Sequence, residues 1–216
     1  MSKGKTTIIQ PGNRILFQGD SITNAFRKPE EVCNAYQLGS GYAMMVAAQI
    51  LAAQPADGLS FFNRGVSGNR VAELRKRWQE DCLELKPDVL SILIGINDGS
   101  PIAAKPAVSV EDYEQQYREL LQVTREALPA VRLVLCEPFV LPCGPVLPRA
   151  ADDVIARGDA VNRLADDFDA AVVPLLDVFA EAQKMAPAEY WAFDGVHPTA
   201  QGHWLIAKAW LKAIGL

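Results

Sequence analysis

Histidine and cysteine are scarce in this chain. Its 216 residues include two histidines and four cysteines. Cys33, Cys82, Cys136 and Cys143 form no Cys-x-x-Cys pair, and none has a histidine nearby at zinc-ligand spacing. They read as thiols in a reducing compartment, and neither a metal nor an organic cofactor is expected. Positive charge is also short, with 21 Lys and Arg against 26 Asp and Glu and a formal net charge of -5. That balance argues against a nucleic-acid backbone or an anionic membrane as the main partner. No apolar run approaches the length of a membrane span. The N-terminal "MSKGKTTIIQPGNR" lacks the apolar stretch of a secretory signal, so a cytoplasmic location is expected.

Several motifs are missing too. A dinucleotide fingerprint needs Gly-x-Gly-x-x-Gly, but Gly39-Ser40-Gly41 is followed by Met44 where the third glycine belongs. There is no Walker lysine motif. The Gly-x-Ser-x-Gly elbow of α/β-hydrolases is missed by one residue in Gly65-Val66-Ser67-Gly68-Asn69, which leaves Ser67 as a second-choice nucleophile. No internal repeat or low-complexity segment breaks the chain.

What remains is an ordinary globular composition, half apolar and 22% charged, long enough for one domain spanning 1–216 with a substantial core. Short apolar runs alternate with amphipathic ones. Strands are expected at Arg14 to Gln18, Leu59 to Asn63, Asp88 to Ile94, Arg132 to Cys136 and Ala171 to Pro174. The third, "DVLSILI", is almost wholly apolar, the pattern of a strand covered on both faces. Helices are expected at Tyr42 to Ala53, Val71 to Leu85 (with room for a break) and Val154 to Phe168. A fourth carries Tyr113, Tyr117, Leu120, Leu121, Thr124 and Leu128 on one face, with Ser109 as its N-cap. The last starts near Thr199, with Trp204, Ala207, Leu211 and Ile214 on its apolar face. Five strands alternating with helices imply a three-layer α/β/α domain with a five-stranded parallel sheet, in the flavodoxin-like order 2-1-3-4-5. The proline-rich "GSPIAAKPAVSV" and "CEPFVLPCGPVLPRA" then read as loops at the ligand-binding edge.

Ligands of open parallel sheets bind beyond the carboxyl ends of the strands, at the switch in strand order. Gly19-Asp20-Ser21 follows the first strand, "NRGVSGN" with Gly65 the second, and Gly95-Ile96-Asn97-Asp98 the third. In the order 2-1-3 these tips are neighbours. A serine needs a base. His197 stands in "FDGVHPT", three residues after Asp194, and Pro198 disfavours helix there. A tight loop can bring the Asp194 carboxylate to one nitrogen of His197 and leave the other for Ser21. His203 reads as a packing or capping residue. Asp20 reads as shaping the turn, because an acid beside the nucleophile would oppose an oxyanion. Each signal is weak alone; what weighs is their joint occurrence, in order, at strand ends.

Together these four blocks resemble the SGNH hydrolases, also called the GDSL esterase/lipase family, across nearly the whole chain. The resemblance implies Ser21 as nucleophile, His197 as base and Asp194 as its orienting acid. It implies an oxyanion hole of the Ser21 and Gly65 backbone N–H groups and the Asn97 side chain. "GDSIT", "LGSGY", "RGVSGN", "GIND" and "FDGVHPTAQGH" are most similar to the bacterial acetylxylan esterases within the family. That similarity implies a short-acyl ester of a carbohydrate, such as a xylo-oligosaccharide, as substrate, and a homo-oligomeric assembly. Two features depart from the subgroup. Phe193 stands before the acid where Trp is common, with Trp191 two positions earlier, and Gly99-Ser100-Pro101 lacks bulky residues; both departures fall at the expected substrate wall. The rival readings are a short-chain thioesterase or lysophospholipase of the same fold, and a non-catalytic carbohydrate-binding protein.

Overall fold

A computed structural model describes residues 8–29, 37–100 and 106–216; Cys33 and Pro101 lie outside them. The strands are β1 (Arg14–Gly19), β2 (Ser60–Asn63), β3 (Val89–Leu93), β4 (Arg132–Cys136) and β5 (Ala171–Val173). All pair in parallel, in the order β2-β1-β3-β4-β5. The helices in chain order are α1 (Ser21–Asn24), α2 (Tyr42–Ala53), α3 (Val71–Lys76), α4 (Ile96–Gly99), α5 (Val110–Ala127), α6 (Ala150–Phe168), α7 (Leu175–Gln183), α8 (Ala188–Trp191) and α9 (Ala200–Ala213). A π-helical turn, Gln79–Leu83, follows α3 and supplies the break in that stretch.

Side chains alternate across a strand, so the sheet feeds two cores. Ile15 and Phe17 of β1, with Val89 and Leu93 of β3, pack on the face that holds Tyr42, Phe179 and Trp210. Leu16, Leu90 and Ile92 pack on the other, against Leu74, Tyr117, Leu121 and Leu164. β3 is buried along its whole length, as its apolar run implies. Its one polar residue is satisfied: Ser91 Oγ accepts the indole N–H of buried Trp210 at 2.9 Å. Ser109 caps α5 by accepting the Asp112 N–H at 3.0 Å, and Thr199 caps α9 by accepting that of Gly202 at 3.2 Å.

Three expectations change. Trp204 does not face the core: it is 44% exposed, and the indole buried from α9 is that of Trp210. Both rings fit a helical pattern, but only Trp210 stands over Phe17 and Ser91. α6 begins at Ala150, a turn before Val154. α7 and α8 are additions, and they pack Phe179, Ala182 and Trp191 into the first core. No helix among the described residues is long and apolar enough to cross a membrane.

Candidate active site

The turn that carries Ser21 begins where β1 ends. Gly19 is required there by close approach, since a Cβ would lie 2.3 Å from both the Leu93 carbonyl oxygen and Thr23 Oγ1. Asp20 caps the helical turn α1, its Oδ1 accepting the Ile22 N–H at 2.9 Å. The turn is braced from below by Gln18, fully buried, whose amide donates to the Asp81 carbonyl (2.7 Å) and accepts from Arg77 Nη1 (3.1 Å). Nothing in the sequence around Arg77 marked it for this role, which exists only once the π-helical turn carries Asp81 under β1.

Ser21 Oγ stands 2.9 Å from His197 Nε2. His197 Nδ1 stands 2.7 Å from Asp194 Oδ2. The other Asp194 oxygen, Oδ1, accepts the backbone N–H groups of His197 (2.7 Å) and Val196 (3.0 Å), so the carboxylate is fixed in rotation. Partial burial pushes the Asp194 pKa up, but the hydrogen bonds from His197 and Val196 outweigh it and hold the acid below its ordinary 3.8. It is therefore ionised at neutral pH. An ionised Asp194 favours the proton on Nδ1 and leaves the Nε2 lone pair facing the Ser21 hydroxyl.

The chain of three groups opens into a cavity of about 350 Å³, near the lower end for small-molecule sites. Ile22, Ala25, Phe26, Phe193 and Pro198 supply its apolar lining, and Asn24, Ser67 and His203 further polar groups. Phe193 is 63% exposed and stacks on His197, with ring centroids 5.8 Å apart. Trp191 is not in this wall; it is buried, its indole N–H donating to the Ala182 and Ala186 carbonyls. Gly99 is not in it either, because it packs on Asp153: a Cβ there would lie 2.0 Å from Asp153 Oδ2. Ser67 lines the cavity, but the imidazole nitrogen that could activate a hydroxyl is bonded to Ser21.

Of the three expected oxyanion donors, Asn97 and Gly65 differ in the hydrogen they have free. Asn97 Nδ2 gives one hydrogen to the Asn69 carbonyl at 3.0 Å and keeps a second. Gly65 has none, since its N–H is donated to Asn63 Oδ1 at 2.9 Å. Its missing side chain has another use, because a Cβ would lie 2.4 Å from the Asn24 nitrogen. The same Asn63 amide donates to the Thr23 and Leu38 carbonyls, tying β2 to the turn that carries Ser21. Three residues beyond Gly65, Gly68 sits in the turn closed by Asn69 N–H to the Val66 carbonyl, with φ +76°. The Asn97 bond to Asn69 brings this turn beside the β3 tip.

The chain matches the GDSL-like Lipase/Acylhydrolase family over residues 17–205. It belongs to that family. It is 34% identical to an acetylxylan esterase of Geobacillus stearothermophilus over 215 residues, 96% of each chain. The crystal structure of that organism's acetylxylan esterase Axe2 superposes with a TM-score of 0.87 at 33% identity, covering 96% of both chains. A GDSL-like lipase structure from Parabacteroides merdae ATCC 43184, itself described as putative, superposes with a TM-score of 0.91 at 40% identity, covering 97% of this chain and 99% of that one. This member of the GDSL family is accordingly a carboxylic ester hydrolase.

One titration follows from the geometry of the turn that carries Ser21. Asp20 is fully buried, Oδ2 has no partner among the described residues, and burial pushes the acid up to about 7 against the Ile22 N–H and His197, which pull it down. Between about pH 4 and 7 the folded chain holds a proton that the unfolded chain has lost. Stability therefore falls as pH rises through that window and is level above it. Asp20→Asn keeps the cap and removes the charge. It is expected to melt higher than the parent at pH 8, by on the order of 1–4 kcal/mol of stability, and close to it near pH 4. Melts at pH 4.5 and 8 measure this. A parent-to-variant gap that does not grow with pH would assign the slope to other groups.

Proposed function

We propose that this esterase removes short acyl groups, acetyl above all, from carbohydrates such as xylo-oligosaccharides, through Ser21, His197 and Asp194. The observation that carries the reading is the continuous chain Ser21 Oγ–His197 Nε2 and Nδ1–Asp194 Oδ2, at 2.9 and 2.7 Å, opening into a small cavity. His197 takes the Ser21 proton as the hydroxyl attacks the acyl carbonyl, and returns it to the leaving alcohol. It then activates a water that hydrolyses the acyl-enzyme. The oxyanion meets the Ser21 N–H and Asn97 Nδ2. For the third donor Gly68 replaces Gly65, whose N–H is already committed. Donors held in place before charge develops are worth about 2.7–4 kcal/mol each.

Acetyl and carbohydrate specificity are supported by the similarity to the Geobacillus acetylxylan esterase along almost the full chain. A panel of acetyl, butyryl and octanoyl esters, then acetylated xylose against acyl-CoA, tests them. Acetyl esters and acetylated xylose are expected to be preferred; clear preference for octanoyl esters or acyl-CoA would favour the thioesterase or lysophospholipase reading instead. A serine-directed organophosphorus probe should label Ser21 and spare Ser67, and absence of labelling would favour a binding protein.

A further inference from the structure

His203 is the second histidine of the chain and takes no part in the chemistry above. It lies in the first turn of α9, where its N–H bonds to the Thr199 carbonyl. Three contacts fix its ring. Nδ1 accepts the backbone N–H of Tyr42 at 3.2 Å. The imidazole stacks on the Tyr42 ring at 6.5 Å between centroids and 18° between planes. Gly41 lets the backbone come close, since a Cβ there would lie 2.7 Å from His203 Cε1.

A backbone amide can only donate. The ring nitrogen facing it must therefore carry its lone pair, which makes His203 the neutral Nε2–H tautomer. Burial supports this by pushing its pKa down to about 4, with the neighbouring His197 acting in the same direction. His203 is thus a fixed, uncharged donor across the working pH range. It lines the catalytic cavity, and no protein acceptor meets Nε2 among the described residues.

The position of the donor selects its acceptor. In the reaction proposed above, the acyl carbonyl oxygen turns toward Gly68 and Asn97, beyond the β2 and β3 tips. The leaving alcohol turns toward His197, which protonates it. His203 follows His197 by six residues and faces the cavity from the same segment. We propose that the His203 Nε2–H donates to a hydroxyl in the alcohol part of the substrate. By that bond the enzyme recognises a polyhydroxy alcohol rather than a plain alkyl one. This rests on the carbohydrate reading given above, and makes His203 a specificity residue for it.

His203→Asn tests the assignment. Its Oδ1 can replace Nδ1 as acceptor for the Tyr42 N–H, while nothing replaces Nε2. The ratio of kcat/KM for acetylated xylose to that for cyclohexyl acetate is expected to fall about tenfold, largely through KM. His203→Gln, whose amide reaches the Nε2 position, is expected to restore part of it. A measurement on the unmutated enzyme stands beside these: one of the monodeoxy analogues of acetylated xylose should lose about tenfold in kcat/KM. An unchanged ratio in His203→Asn, or no deoxy analogue that suffers, would overturn the role of His203 alone. An unmutated enzyme inert toward acetylated xylose would overturn the carbohydrate reading and this role with it.

Discussion

An Asp194→Asn enzyme is expected to fold like the parent and to turn over about 10⁴-fold more slowly. The two Asp194 oxygens have separate duties. Oδ1 is occupied by the backbone N–H groups of His197 and Val196, so the amide oxygen of an asparagine must lie there. The amide NH₂ then takes the place of Oδ2, 2.7 Å from His197 Nδ1. A donor at that point makes Nδ1 the acceptor and moves the imidazole proton to Nε2. Nε2 then presents a hydrogen to Ser21 where a lone pair is needed, and the hydroxyl has no base. The loop keeps its two backbone bonds, so thermal stability should change little. Steady-state kcat with 4-nitrophenyl acetate, beside a melting curve, measures both. A folded variant within tenfold of the parent would mean that Asp194 does not set the tautomer, and the proposed triad would reduce to Ser21 and His197.

The sequence made the frame of this arrangement legible because the frame obeys short periods. The almost wholly apolar "DVLSILI" fits a strand covered on both faces, and it lies inside the sheet; right-handed crossovers restrict the order, and the flavodoxin-like one expected is the one found. The contact of Ser21 with His197, and of His197 with Asp194, could be expected because a strand-end serine needs a base and the chain has only two histidines. Gly65 shows where that reasoning stops. A glycine after a strand suggests a free N–H, but the acceptor that occupies it, Asn63 Oδ1, is a side chain two residues back whose rotamer no local pattern reveals. Trp204 and Trp210 show the same limit at the level of packing: helical spacing admits both to an apolar face, and only the tertiary position of Phe17 and Ser91 chooses between them. His203 read as packing, which is true of its Nδ1 edge; that the residue also lines the cavity depends on α2 arriving with Gly41 and Tyr42 against its ring.

Arg157→Ala is expected to cost about 3–5 kcal/mol, the range for breaking a buried ion pair by removing one partner. The Arg157 side chain is 0% exposed in α6. Its guanidinium grips Asp153 with two bonds, Nε to Oδ2 at 2.8 Å and Nη2 to Oδ1 at 3.0 Å. It also donates to the Val108 carbonyl at 2.6 Å and lies over the Tyr113 ring, 5.0 Å from its centroid. Val108 in turn donates its N–H to the Asp98 carbonyl, so the arginine holds the chain on the far side of α4, the turn that presents Asn97. Asp98 is buried beside it. Burial pushes that acid up to about 7, and Arg157 is the largest influence pulling it down. Without the guanidinium both acids lose their cation, and the void left under α4 has no side chain to fill it. The loss should appear as a fall in melting temperature of about 6–20 °C for a chain of this size. It should also be smaller at pH 5 than at pH 8, because a protonated Asp98 no longer needs a cation. Arg157→Met, which fills the space without charge, should recover part of the stability at pH 5 and less at pH 8. A Met variant as stable as the parent at both pH values, beside an Ala variant that loses equally at both, would mean that Arg157 acts through volume alone, and that α4 is held by its backbone bonds to Gly95 and not by this buried charge.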